Sequence, residues 1–473
     1  MHSQSIVIIG AGPVGSLLAA LLAEHGCEVD VYERRPDMRN QTVAAGRSIN
    51  LAVSARGLHA LAQLGLDGAV LDCTVPMRGR RIHAANGTTE LQMYGRTDAD
   101  GGSKQVIHSM SRGGLNKILM TRAEQTGRVR IHCGMRLESY DFESKLATLV
   151  RESDQTTLCT EAPVIFGTDG SASQLRQAMQ DRGQRQTLAP LDFGYKELTM
   201  SAAVGGQFTM DPNALHIWPR GRFMLIALPN PDGTFTCTMF LPHQSDGKTP
   251  SFADLNTDTA VTDFVAHQFP DVPVLMTDVV SQFAHAPLGH MATLRCEPWA
   301  HDAALLLGDA AHAIVPFFGQ GLNAGFESCT AWLQQLTAEG LPETSEQWAS
   351  AMARFWPQRK RETDAIAQLA LENFVEMRDK VADRDFLLHR AVEQAVQGQL
   401  GDAYWTRYQL VSFSRVAYSE ALRIGQLQAA IVQAACQGCT SAEQVDSAAV
   451  AATMRAQVLP QLAMLIAAAN KRA

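Results

Sequence analysis

Close to its start the chain runs from an apolar stretch, Ile6-Val7-Ile8-Ile9, straight into Gly10-Ala11-Gly12-Pro13-Val14-Gly15 and then into an Ala/Leu-rich segment. Strand, G-x-G-x-x-G, helix is the opening of a dinucleotide-binding βαβ unit, and each glycine has its own task. Gly10 allows the tight turn, Gly12 lets backbone approach a pyrophosphate, and Gly15 permits close packing of the helix. The helix N-terminus adds free N–H groups and a positive partial charge. A second apolar run, Val29-Asp30-Val31-Tyr32, ends in Glu33, eighteen residues past Gly15, where a carboxylate meets a ribose hydroxyl. The first part of the chain is thereby committed to a parallel α/β sheet. Nicotinamide and flavin dinucleotides both remain open at this point.

A segment far downstream separates them. Ala303-Ala304-Leu305-Leu306-Leu307 reads as a strand that delivers Gly308-Asp309 to its end. A carboxylate there is placed to accept hydrogen bonds from a polyol such as the ribityl chain of FAD, which NAD lacks. Gly319-Gln320-Gly321-Leu322-Asn323 then opens a helix through Phe326 and Glu327. Its unsatisfied N–H groups suit the negative charge that a reduced flavin carries on its pyrimidine edge. A third strand, Val164-Ile165-Phe166-Gly167, ends in Thr168-Asp169-Gly170-Ser171, with Ser173 and Arg176 just beyond.

G-x-G-x-x-G, then Asp-Gly, then Gly-Asp, in this order, resembles the single-component flavin monooxygenases with a para-hydroxybenzoate-hydroxylase-like fold. Four further segments narrow the resemblance: Gly46-Arg47-Ser48-Ile49-Asn50-Leu51-Ala52, Pro76-Met77-Arg78-Gly79-Arg80, His216-Ile217-Trp218-Pro219-Arg220 and Asn373-Phe374-Val375-Glu376-Met377-Arg378. They are similar to the kynurenine 3-monooxygenase family, over about residues 5 to 420. The resemblance implies an α/β fold: a Rossmann-type FAD-binding domain interleaved with a mixed β-sheet substrate domain, plus a helical C-terminal region. The expected boundaries are 1–76, 105–185 and 285–340 for FAD, 77–104 and 186–284 for the substrate sheet, and 345–473 for the helices, read as a lid. It also implies hydroxylation of L-kynurenine to 3-hydroxy-L-kynurenine in tryptophan catabolism. NADPH and O2 would be cosubstrates, FAD the prosthetic group, and a flavin C4a-hydroperoxide the oxygen donor.

The chemistry of that expectation stands on its own. Ring hydroxylation needs an electrophilic oxygen that no side chain supplies, so the cofactor carries it and the protein orients and shields. No catalytic side chain and no metal ligand is therefore nominated. By the family's pattern, Arg80 and Tyr94 match a carboxylate-binding pair, and Asn373 and Tyr408 match two later polar contacts. An arginine suits a planar carboxylate through its fork. Without that pattern, Arg80 reads equally as part of a solvated basic run with Arg78 and Arg81, and Asn373 and Tyr408 as helix-surface residues. Phe223–Leu228 and Thr234–Phe240 read as a hairpin around Pro229-Asn230-Pro231-Asp232-Gly233. Met224, Ile226 and Phe240 alternate along it as an apolar wall for the ring, with Phe317 and Met377 arriving from elsewhere; ordinary core packing is the other reading.

For FAD, the family's pattern adds Val14, Arg34, Arg35, Ala52, Arg112 and Leu137 to Gly10, Gly12, Gly15, Glu33, Asp169 and Asp309. It places Leu322 and Asn323 at the isoalloxazine. Departures from the pattern are Thr168, where small residues are common, Gly113-Gly114 after Arg112, and Phe318 at a potential pocket position. No second G-x-G-x-x-G follows a strand, so NADPH is expected to visit without a Rossmann domain of its own.

Composition agrees: 473 residues at 46% hydrophobic content suffice for large packed units. A formal net charge of −8 without a basic stripe argues against nucleic-acid partners. Nine scattered cysteines suit reduced thiols and a cytoplasmic location, and Cys436-Gln437-Gly438-Cys439 reads as structural. The first strand begins too early for a signal peptide, and no apolar tract reaches the roughly 20 residues of a membrane span, so no membrane anchor is expected. A homodimer stays open. So do a hydroxylase of another aromatic acid, a non-catalytic flavin-fold binding protein and an FAD oxidase.

Overall fold

The computed structural model describes residues 5–40, 50–95, 105–379 and 384–471, except for the side chains of 377–379. Gly46 to Ile49 and the Met377 side chain therefore lie outside the described residues. The chain divides into two compact units, one of Met1–Thr74, Met110–Leu191 and Met291–Ala367, the other of Val75–Ser109, Asp192–His290 and Gln368–Ala473. The helical region expected at 345–473 is split between them at Ala367.

In the first unit, six strands stand in the order Ala300–His301, Ala304–Leu306, Val164–Gly167, Ile6–Ile9, Val29–Glu33, Val129–Cys133. All neighbours are parallel except the first pair. Strands covered on both faces read as unbroken apolar runs, and Ile6–Ile9 and Val164–Gly167 are indeed wholly buried. The helix Pro13–Glu24 starts with Pro at a position where its missing N–H costs nothing. Ten of its residues are buried, which explains its Ala/Leu composition. The consequence for function is the order of the three central strands: Gly-Asp, Asp-Gly and G-x-G-x-x-G leave the carboxyl ends of three neighbouring parallel strands. That edge is where open α/β sheets bind ligands.

The second unit is built on a sheet in which Asp192–Met200 belongs to the strand Arg185–Met200, followed by Phe235–Pro242, Phe223–Pro229, Ala214–Arg220, Gly79–His83 and Thr89–Met93. The expected hairpin forms, with Met224 opposite Phe240 and Ile226 opposite Thr238. Because side chains alternate across a strand, the sheet has two unlike faces. Leu198, Trp218, Leu225, Phe235, Cys237 and Met239 pack with Phe264, Phe269 and Phe283 of the helices that follow. The other face carries Arg80, Ile217, Met224, Ile226 and Phe240.

The helices Ser345–Asp379, Arg384–Leu400, Arg407–Phe413, Tyr418–Ala435, Ser447–Gln457 and Leu459–Lys471 complete the chain. Among the described residues no single helix is long and apolar enough to cross a membrane; Ser447–Gln457 and Leu459–Lys471, bent by 48°, reach that length and composition only together.

Candidate functional site

In the first unit the geometry is set by backbone and by missing side chains. Gly10 has φ +98° and a Cβ there would lie 2.7 Å from the Thr168 carbonyl oxygen. At Gly15 a Cβ would run into the Gly10 carbonyl and Thr168 Oγ1, whereas at Gly12 it would meet nothing within 4 Å. Two of the three glycines therefore serve packing, and the third faces open space at the N-terminus of a helix. Thr168, a departure in the sequence, has a reason: its hydroxyl lies 2.9 Å from both the Ile9 and Gly10 carbonyl oxygens and pins the turn.

Glu33, 6% exposed, ends its strand beside that turn. Its Oε2 accepts from the Ala11 N–H at 2.9 Å, and Oε1 accepts from the Arg35 backbone and Nε, each at 2.9 Å. Burial works against its charge, but Arg35 and the Ala11 N–H outweigh burial and hold the carboxyl below its usual range. Arg34, Arg35 and Arg112 are exposed. Leu137 is 1% exposed and packs within the core.

Val14 gathers the remaining motifs. A Cβ on Gly308 would stand 3.1 Å from its side chain and one on Gly325 2.7 Å, so glycine is needed at both positions for the three helix starts to converge. Gly308 has φ +61°, a left-handed value that favours glycine. Asp309, next in sequence, is open to solvent, yet the protein around it desolvates its carboxyl and pushes it up, with Arg112 opposing. Accessible and desolvated together describe a recess. Asp169 has one oxygen bonded to the Gln174 N–H at 2.8 Å, while Oδ1 is buried without a partner among the described residues. A polyol or nucleotide hydroxyl would satisfy it.

Asn323 is fully buried. Its Oδ1 accepts from the Ser54 N–H at 3.0 Å and its Nδ2 donates to the Ala52 and Gly319 carbonyls at 2.8 and 3.0 Å. The side chain expected at the isoalloxazine thus stitches the strand Asn50–Val53 to the loop before the helix Gly321–Glu339. What remains for a flavin is the backbone N–H of Leu322 and Asn323 in that helix's first turn. The glycine cradle, the orphaned Asp169 oxygen and the recessed Asp309 fit FAD.

Sequence reasoning noted Arg176 but gave it no role. It is 7% exposed and donates to the Ser171 carbonyl at 2.5 Å and the Ala310 carbonyl at 2.8 Å, tying the Asp-Gly loop to the Gly-Asp loop. A buried network was missed altogether: Glu327 bridges Arg56 and Arg359, and Arg359 Nε donates to Ser328 Oγ, which lies 3.1 Å from His312 Nε2. No motif spacing announces such a network.

In the second unit Arg80, Tyr94 and Tyr408 come together from positions more than three hundred residues apart. The guanidinium carbon lies 4.3 Å from the Tyr408 ring centre and 5.7 Å from that of Tyr94, and the two rings stack at 5.6 Å. Such contacts hold a guanidinium flat. Arg80 Nε and Tyr94 Oη are buried without a hydrogen bond of adequate geometry among the described residues, although the three groups are near enough to act on one another's charge. Burial, reinforced by Tyr408 and opposed by Arg80, raises the Tyr94 phenol well above its ordinary range, so it stays a donor. Two converging donors that lack an acceptor suit a carboxylate. Met224, Ile226 and Phe240 share the sheet face of Arg80, and Met224 and Phe240 are each 4% exposed. Asn373, 9% exposed, sits on the helix Ser345–Asp379, while Phe317 belongs to the first unit.

Residues 3–345 match the family described as FAD binding domain. Solved structures agree on the fold: a tetrameric form of 2-methyl-3-hydroxypyridine-5-carboxylic acid oxygenase has a TM-score of 0.62 at 20% identity, covering 82% of this chain and 96% of that one. The tetracycline destructase Tet(51) has a TM-score of 0.58 at 15% identity over 83% and 94%. Fold and site together define an FAD-binding protein of the flavin-dependent hydroxylase class. Among curated relatives, the kynurenine 3-monooxygenase of Myxococcus xanthus is 48% identical over 463 residues, 97% of this chain and 96% of that protein. Those of Xanthomonas axonopodis pv. citri and Stenotrophomonas maltophilia are 42% identical, covering 97% and 96% of this chain and 98% and 97% of their own. The chain belongs to the kynurenine 3-monooxygenase family.

Proposed function

We propose that this chain converts L-kynurenine, NADPH, a proton and O2 into 3-hydroxy-L-kynurenine, NADP+ and water. The observation that carries the reading is the Arg80–Tyr94–Tyr408 cluster in a chain of this family: a guanidinium held between two phenols, with Arg80 Nε and Tyr94 Oη buried and unsatisfied among the described residues, on the apolar face of a sheet. When bound, FAD supplies what side chains cannot, acceptance of a hydride from NADPH and activation of O2. The chain's own residues do the rest. Gly12, Glu33, Asp169, Asp309 and the N–H groups of Leu322 and Asn323 hold the cofactor. Arg80 and Tyr94, with Tyr408 against the guanidinium, take the substrate carboxylate, and Asn373 adds a polar contact. Met224, Ile226 and Phe240 give the ring a dry wall. The ring's own amino group activates its neighbouring carbon, so no acid or base residue is required.

We place the enzyme in the cytoplasm on its nine free cysteines, and propose a homodimer, read out by light scattering. The decisive experiment is anaerobic flavin reduction by NADPH with and without L-kynurenine, then O2 and product analysis. Kynurenine-accelerated reduction and 3-hydroxy-L-kynurenine support the proposal; unchanged reduction and no hydroxylated product overturn it.

A further inference from the structure

We infer that Arg407 and Gln409, the two neighbours of Tyr408, are positioning residues that set the carboxylate-binding cluster; this rests on the substrate reading above. Arg407 reaches across to the helix Ser345–Asp379 and donates to both Glu372 Oε2 and Glu376 Oε1, each at 2.6 Å. Those glutamates flank Asn373 in sequence. Gln409 is 6% exposed and donates to the Tyr94 carbonyl at 3.2 Å and to Gln105 Oε1 at 3.0 Å. Its own Oε1 accepts from the Thr406 N–H at 2.9 Å, closing a capping box with the Thr406 hydroxyl. Tyr408 is therefore held from one side against the helix of Asn373 and from the other against the strand end of Tyr94.

Two features of the chain make little sense without this role. A cation in the first turn opposes a helix's dipole, yet Arg407 is the first residue of the helix Arg407–Phe413. A glycine inside a helix destabilises it relative to alanine, yet Gly425 sits within Tyr418–Ala435. The reason is Arg407: a Cβ at 425 would lie 2.6 Å from its Cδ and 2.9 Å from its Cγ. An unfavourable helix start and an unfavourable helix interior are both retained along the path of one side chain. That side chain ends on two carboxylates and sets the backbone of Tyr408.

The test compares binding of L-kynurenine with that of its decarboxylated analogue, kynuramine, by perturbation of the flavin absorbance of the FAD-loaded enzyme. Arg407→Met is expected to weaken L-kynurenine about thirtyfold and kynuramine less than threefold, with Arg407→Lys, which cannot reach both glutamates at once, in between. Gly425→Ala removes no charge and presses on the Arg407 stem; a smaller loss, again confined to L-kynurenine, is expected. It keeps the test open should Arg407→Met not fold. In an Arg407→Met/Tyr408→Phe double variant the losses should not add. Unchanged L-kynurenine affinity in Arg407→Met and Gly425→Ala, equal losses for both ligands, or fully additive losses would each overturn the inference. Equal affinity of the unaltered enzyme for both ligands would instead overturn the carboxylate reading of Arg80, Tyr94 and Tyr408.

Discussion

On the function proposed above, the two sheets would prepare their sites by opposite means. In the first unit the working surface is mostly backbone: a turn at Gly10, a helix start at Gly12, another at Leu322, with side chains such as Thr168, Arg176 and Asn323 holding those loops from behind. In the second unit the working surface is side chain, a guanidinium and two phenols above an apolar strand face. The difference follows from the ligands. A pyrophosphate and a ribityl chain are long, flexible and polar, and are met well by N–H groups that glycines leave uncovered. A small amino acid has a carboxylate to be gripped and a flat ring to be placed, which needs a rigid fork and a wall.

The contrast is broken most severely at Gly15. Gly15→Ala pushes a methyl into the Gly10 carbonyl and Thr168 Oγ1, so the first strand, its helix and the Asp-Gly strand cannot keep their packing. The expected cost is about 3 kcal/mol, seen as loss of soluble protein or a collapse of the thermal midpoint. Gly12→Ala has open space, so its apoprotein should unfold like the unaltered one while losing FAD on gel filtration. Were both variants equally unstable, the assignment of one glycine to packing and the other to the cofactor would fall.

Arg80→Met is the corresponding break in the second unit. Loss of a charged partner for a desolvated carboxylate costs about 2–5 kcal/mol, so KM for L-kynurenine should rise by two orders of magnitude or more. FAD content and the rate of flavin reduction by NADPH at saturating kynurenine should change little. Tyr94→Phe removes one neutral donor, about 1 kcal/mol, and a five- to tenfold KM increase is expected. If either variant instead loses its FAD, the separation of tasks between the two sheets is wrong.

The same division governs what could be read from the chain. The first unit's motifs are legible because each is contiguous: Gly10 to Gly15, Thr168-Asp169-Gly170 and Gly308-Asp309 each lie at one strand end, and local spacing encodes them. Thr168 looked like an oddity only because its partner, the carbonyl of Ile9, comes from a strand paired across the sheet. Arg80, Tyr94 and Tyr408 come together only through strand pairing and a helix far along the chain; the resemblance named them, whereas composition and periodicity leave Arg80 in a basic run. Arg407, Gln409 and the network through Glu327 were hidden for the same reason. A polar residue's role is fixed by what it reaches, and reach is a property of the fold. Asn323 and Leu137 show the converse: the resemblance named them, but the fold makes the first side chain a brace and the second part of the core.

Acid should distinguish the units least. His312 in the first unit is pushed down to about 3 by burial, with Arg359 adding to the effect, and His216 in the second to about 4, again by burial. Both rings are neutral when folded, while the unfolded chain takes up their protons near the ordinary value of 6.5. Depressed histidines contribute stability that is complete above pH 6.5 and is lost as pH falls toward the folded values. Each histidine then gives a slope of about 1.4 kcal/mol per pH unit below 6.5. Urea unfolding of the FAD-loaded enzyme at pH 7.5, 6.5 and 5.5 should show a plateau and then a decline. His312→Gln, which keeps a polar group near Ser328 Oγ but does not titrate, should remove about one proton from that slope. His216→Gln should do the same for the second unit, if its unfolding is resolved separately. A slope unchanged in His312→Gln would mean that the ring beneath the Gly-Asp turn is already protonated in the folded enzyme.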